Sequence, residues 1–260
     1  MDVRMDGRRA IITGGSAGLG KAMAKEFIRS GADVAIVGRR QETLDLAEKE
    51  IRDGGSGKVA VISGDIRLSD DCKRVVQEAE AALGPIDILV NNAGTSQRGD
   101  FLEISDQLWQ DDLDLKLFSA IRLSRMLVPG MRERRWGRII NVLNVGAKTP
   151  PAEGAPTAVS RAAGMALMKV LANENAPYNV LVNGMLVGKI RSEQWERRHA
   201  SDERGLTLEE WYADAGLEQP MGRLGCAEEF ANMACFLCSE QGSYINGAAI
   251  NVDGGLCKAV

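Results

Sequence analysis

The sequence predicts an α/β protein built on a doubly wound parallel sheet, and three observations carry that expectation. Short, almost wholly apolar runs alternate with stretches of helical apolar spacing along the chain. Runs without a polar side belong to strands covered on both faces, the condition of a parallel sheet. Glycine-bearing turns close several of these runs, and 260 residues, 45% of them apolar, suffice to bury one substantial core.

Taken in order, "RRAIITGG" is a β-rich run ending in glycine. "LGKAMAKEFIRSGA" follows with Leu19, Met23 and Phe27 at helical spacing and a stop at Gly31. "DVAIVG", "KVAVISGD" and "IDILVNNAG" read as strands, separated by the helices "QETLDLAEKEIRDGG" and "SDDCKRVVQEAEAALG". A long helix is expected from about Ser105 to Arg135, kinked near its end by Pro129. Then come "GRIINVLN" as strand, "AVSRAAGMALMKVLANEN" as helix and "YNVLVNGML" as strand. A polar irregular stretch to about Pro220, the helix "AEEFANMACFLCSE" and a last strand "GAAINV" complete the chain. This gives about seven strands with helices on both faces, in a single domain spanning residues 1–260 without repeat or linker.

A net charge of −4 gives no electrostatic reason to expect nucleic acid or an anionic membrane as partner. The start, "MDVRMDGRRAIITGG", reads as neither secretory signal nor spanning helix, so a soluble, cytoplasmic protein is expected. Five scattered cysteines argue for a reducing compartment. The pair Cys235 and Cys238 shares one helix face with no second Cys/His pair nearby, and reads as buried thiols; no metal site is expected. The basic run "RERRWGR" sits at a helix C-terminus, where the dipole favours cations.

The turn "TGGSAGLG" follows the first strand and opens a helix. Its Gly14, Gly18 and Gly20 hold the glycine positions of a dinucleotide turn, where the chain bends tightly and a side chain would keep a pyrophosphate from the helix N-terminus. With this turn, Asp65 after the third strand, "NNAG" after the fourth, "GRLGCAEE" and "SYINGAAINVDGG", the chain resembles the short-chain dehydrogenase/reductase family from about residue 7 to residue 255.

The resemblance implies a Rossmann-like fold and a nicotinamide coenzyme. It places Gly14, Ser16, Gly18, Leu19 and Gly20 at the pyrophosphate, and Asp65 and Ile66 beside the adenine. Asn91 to Gly94 line the coenzyme, and Gly188, Ile190 and Ser192 stand at the nicotinamide, with Val187 where the family has proline. After the second strand, Gly38 offers no carboxylate for a ribose 2'-hydroxyl, whereas Arg39 and Arg40 offer cations for a 2'-phosphate. NADP(H) is therefore expected over NAD(H), with Arg39 at the position used by NADP-dependent relatives.

At the reacting end, the family's Ser position maps to Asn144 and its Tyr position, thirteen residues later, to Thr157. Its Lys position maps to Arg161 and its Asn position to Asp114, so all four are changed. A threonine hydroxyl titrates far above a phenol, and Arg161 can bond a ribose but stays charged. Asn144 can still polarise a carbonyl, and Asp114 can order a water. The resemblance also implies a substrate lid over about residues 190–220, carrying His199, Trp195, Trp211 and Tyr212, and a dimer or tetramer built through the helices at about 105–135 and 157–175. The expected function is an NADP(H)-dependent oxidoreductase on an unnamed carbonyl or alcohol. Its alternatives are a coenzyme-binding homologue without turnover and a lyase or isomerase step using Asp114.

Overall fold

The structure is a computed structural model that describes residues 2–259, and within them all side chains except those of Glu193, Gln194 and Arg197. Its centre is one seven-stranded sheet. The strands are β1 (Arg9–Thr13), β2 (Asp33–Gly38), β3 (Val59–Ser63), β4 (Ile88–Asn91), β5 (Gly137–Asn144), β6 (Val180–Val187) and β7 (Ala249–Val252). Every pairing is parallel, in the order β3-β2-β1-β4-β5-β6-β7.

Alternation along each strand feeds two cores. Ile12, Ile36 and Val90 pack on one face with Phe27 of α1 (Gly18–Arg29), Leu44 of α2 (Gln41–Arg52) and Phe230 of a C-terminal helix. Ile11, Val37 and Leu89 pack on the other with Val75 of α3 (Ser69–Leu83). Each fully buried side chain of this size contributes about 1.5–3 kcal/mol relative to exposure. The chain reverses direction across the sheet between β1 and β4, so the turns leaving these two strands flank a crevice at their carboxyl ends.

The expected long helix is helical throughout, capped by the Ser105 hydroxyl, but it is not one α-helix. It consists of α4 (Asp106–Leu113), a π-helical turn over Asp114–Phe118 and α5 (Ser119–Glu133), with the Ser119 N–H bonded to the Asp114 carbonyl. Pro129 lies inside α5. After β5 come α6 (Thr157–Asn175) and then β6. The stretch expected to be irregular folds into α7 (Glu193–Ala200) and α8 (Leu208–Leu217). The reason is local: Thr207 and Glu210 form a reciprocal capping box, and Trp211, Tyr212 and Leu224 form a small core of their own with Trp195. The last helix is α9 (Ala227–Cys238), where Cys235 and Cys238 are buried thiols and Cys235 Sγ lies 3.0 Å from Ser30 Oγ. The arginines of "RERRWGR" bond within the chain, Arg132 to Asn175, Arg134 to Asp87, Arg135 to the Pro177 carbonyl and Arg138 to backbone carbonyls beneath the Trp136 ring.

Candidate active site

The glycine turn between β1 and α1 is stapled by side chains from β1 and the β4 turn. The Thr13 hydroxyl accepts from the N–H groups of Asn92 and Ala93, and the Asn92 amide donates to the carbonyls of Thr13 at 2.8 Å and Gly14 at 3.2 Å. A Cβ at Gly20 would collide with the Gly14 carbonyl, and Gly14 itself has φ +66°. Residue type is dictated there by close approach and backbone conformation. No side chain caps the start of α1 and its first turn carries no carboxylate, so its N–H donors face the groove unneutralised.

Two adjoining cavities form that groove. One, of about 210 Å³, is lined by Gly14, Ser16, Gly38, Arg39, Asp65, Ile66 and Gly94. The other, of about 540 Å³, runs from Gly18 and Leu19 past Gly94 to Asn144, Thr157, Arg161 and Ser192. Arg39 and Arg40 are exposed, and among the described residues neither is ion-paired. Asp65 is engaged by Arg67 at 2.6 Å, which holds its carboxyl below the usual range.

Asn91, Ile190 and Gly188 depart from this groove. Asn91 points into the sheet and donates to Asn141 at 2.9 Å, so the neighbouring Asn92 lines the groove instead. Ile190 is buried in the core. Gly188 is pressed against Asp253 and faces a third cavity of about 610 Å³. That cavity joins the groove at Ser96, Asn144, Thr157 and Val187, and is also lined by Arg98, Lys189, Arg198 and Lys258, with no carboxylate among its described lining residues. Trp195 reaches it, whereas His199 bonds the Leu206 carbonyl and Tyr212 is buried beneath Arg191.

Thr157, Asn144 and Arg161 meet where the groove and this cavity join. Asp114 does not join them: its carboxylate pairs with Arg122 at 3.0 Å and accepts from Gln110 at 2.8 Å. Lys116, not Asp114, projects from this helix toward Thr157. Lys116 and Asp112 form an ion pair whose side chains are both 0% exposed, and Lys116 Nζ donates to the Thr157 hydroxyl at 2.8 Å. The other Asp112 oxygen accepts from Ser160 Oγ at 2.6 Å. Thr157 Oγ also accepts from the Gln97 N–H at 2.9 Å. Both its lone pairs are thus used, which leaves its own hydrogen to donate elsewhere.

Arg161 is anchored on the Val142 carbonyl at 2.5 Å, and a Cβ at Gly94 would strike its guanidinium. Burial brings the Arg161 pKa down to about 10, opposed by Asp112. Burial, reinforced by the Arg161 charge and opposed by Asp112, brings Lys116 down to about 8. Asn144 lies across from this group with its Oδ1 buried and unpartnered. Lys116, Asp112 and Ser160 escape motif reasoning. The signal available in the sequence was a lysine inside the apolar run "LDLKLF", four residues after an aspartate.

The family model described as short chain dehydrogenase matches residues 8–203. An uncharacterized oxidoreductase of Bacillus subtilis, YvrD, is 30% identical over the full length of both chains. The L-sorbose reductase of Gluconobacter frateurii, solved in complex with NADPH and L-sorbose, superposes with a TM-score of 0.95 at 34% identity over all of both chains. An NADPH-bound short chain oxidoreductase from Pseudomonas aeruginosa PAO1, described as containing an atypical catalytic center, gives a TM-score of 0.92 at 33% identity over 99% of each chain.

Proposed function

The chain belongs to the short-chain dehydrogenase family, and on that premise we propose that it is an NADP(H)-dependent oxidoreductase interconverting a carbonyl and an alcohol at a site of altered composition. The observation that carries the reading is continuity. One groove runs from the glycine turn past Gly94 to a fixed hydroxyl donor at Thr157, and there it opens into a substrate-sized cavity.

The residues fit such a coenzyme. Gly14 and Gly20 let the turn close tightly on its own backbone and on Asn92, Gly18 faces open space, and the uncapped start of α1 suits a pyrophosphate. Ser16, Gly18 and Leu19 lie along the same turn, Ile66 and Asp65 flank an adenine-sized recess, and Ser192 closes the far end. Exposed Arg39 beside Gly38 supports a 2'-phosphate over a free hydroxyl, in keeping with the NADPH complexes of the two solved relatives. When bound, the coenzyme supplies or accepts a hydride. Arg161 holds ribose hydroxyls, Asn144 and Thr157 orient the substrate oxygen, and the segment around α7 and α8 covers the cavity as a lid. Arg98, Arg198 and Lys258 around the cavity favour a substrate bearing a carboxylate or phosphate.

Quenching of tryptophan fluorescence by NADPH and, separately, by NADH tests the reading. Micromolar NADPH binding with weaker NADH binding is expected. Binding of neither overturns it.

A further inference from the structure

We propose that Lys116 is the proton source of this site, acting on the substrate oxygen through the hydroxyl of Thr157. The inference rests on the oxidoreductase reading above and supplies the proton path that the four family positions, read alone, leave without a donor.

Geometry permits this path among the described residues. The Lys116 side chain is fully buried and cannot touch a substrate, whereas Thr157 stands between it and both cavities. Lys116 is held from behind by Asp112, which Ser160 clamps in turn, and it spends one N–H on Thr157 at 2.8 Å. With both lone pairs occupied by Lys116 and Gln97, the Thr157 hydrogen is the donor left for a ligand atom at the junction. Arg161 does not take this role, because its guanidinium keeps its proton across the neutral range.

In the reducing direction, with reduced nicotinamide coenzyme as reductant, the carbonyl carbon gains a hydride and the C=O π pair moves onto oxygen. That oxygen bonds the Thr157 hydrogen as the Thr157 O–H breaks. Thr157 oxygen takes a proton from Lys116 and leaves it a neutral amine. The products are alcohol and oxidised coenzyme, and Lys116 regains one proton from solvent by the same hydroxyl after product leaves. Oxidation of an alcohol runs the path backward and needs the neutral amine.

The charged groups facing Lys116 are Asp112 from α4 and Arg161 from α6; the loop Gly94–Gln97 contributes none. Since Lys116 lies at about 8, reduction should fall as pH rises through that value, and oxidation should rise through it.

The test follows NADPH oxidation by the full-length protein with 9,10-phenanthrenequinone, an uncharged activated dicarbonyl, across pH 6 to 10, in the natural protein and in Thr157→Val, Thr157→Ser and Lys116→Arg. Thr157→Val leaves the buried ion pair intact, so folding and NADPH binding should persist while kcat drops about 10²- to 10⁴-fold; Thr157→Ser should recover most of it. Lys116→Arg keeps the charge and should lose the limb near pH 8. In a parallel measurement, protein labelled with ¹³C at the lysine ε-carbon should show one signal titrating near pH 8 that is missing from Lys116→Arg.

An unchanged pH limb in Lys116→Arg, turnover surviving in Thr157→Val, or a Lys116 signal titrating like an exposed lysine overturns the relay and leaves the oxidoreductase reading standing. NADPH binding without any oxidation also overturns the relay, in favour of a coenzyme-binding protein without turnover. Absence of NADPH binding removes the oxidoreductase reading itself.

Discussion

The two ends of the groove are built from different materials. At the glycine turn the contacting groups are backbone N–H and carbonyl groups, and the side chains that matter, Thr13 and Asn92, act as staples on that backbone. At the Thr157 end the groups are side chains, with two cations and a carboxylate gathered in a buried space. A backbone-made site demands the absence of side chains and leaves a glycine pattern in the sequence. A side-chain-made site can exchange its groups while keeping its shape, provided each buried charge keeps a partner.

The sharpest way to break this contrast is Asp112→Ala, which strips the partner from a buried ammonium. Losing one member of a buried pair costs about 3–5 kcal/mol, so the urea midpoint should fall sharply. An unchanged midpoint would mean that the reacting end is not held by its charges. Next in size is Asn144→Leu. If its amide faces the substrate oxygen, NADPH oxidation with phenanthrenequinone should slow by about 10²- to 10³-fold. Stability should change little, because the Asn144 Oδ1 has no partner to lose.

At the other end, Arg39→Ala should cost NADPH about 1.5–3 kcal/mol, roughly ten- to a hundredfold in affinity, and leave NADH unaffected. Competitive fluorescence titration reads the ratio, and an unchanged ratio would assign the phosphate to Arg40 or to neither. The last prediction concerns pH. Lys116 lies below its ordinary value of 10.5, at about 8, so between those values the unfolded chain holds the extra proton. The natural protein should therefore gain stability relative to Lys116→Met as pH rises from 8 toward 10.5, and the difference should be flat below 8. Paired urea titrations check the sign.

Much of the fold was legible before the structure. Apolar runs and glycine stops located all seven strands and most helices, because a strand buried on both faces carries few polar residues and a helix against a sheet must show one apolar stripe. The segment between β6 and α9 was not: its mean polarity hid two helices whose stability comes from a capping box and a few aromatic contacts. Gly14 and Gly18, read from the glycine spacing, and Gly94 and Arg39, read with the help of family resemblance, line the groove. Asn91 was displaced by its neighbour, since successive residues at a strand end face opposite ways.

The sequence by itself determined the layering of helices around the sheet and the turn that can admit a pyrophosphate; family resemblance added Asn144, Thr157 and Arg161 as reacting positions, but its fourth, Asp114, stands away from them. Only the tertiary structure decided what gathers around Thr157. Asp112, Lys116, Thr157 and Ser160 come from two helices more than forty residues apart in the chain, and they meet because α4 and its π-helical turn lie against the start of α6. Whether a lysine in such a helix reaches solvent or a buried hydroxyl depends on which face is covered. Packing sets that face; the pattern of a single segment does not carry it.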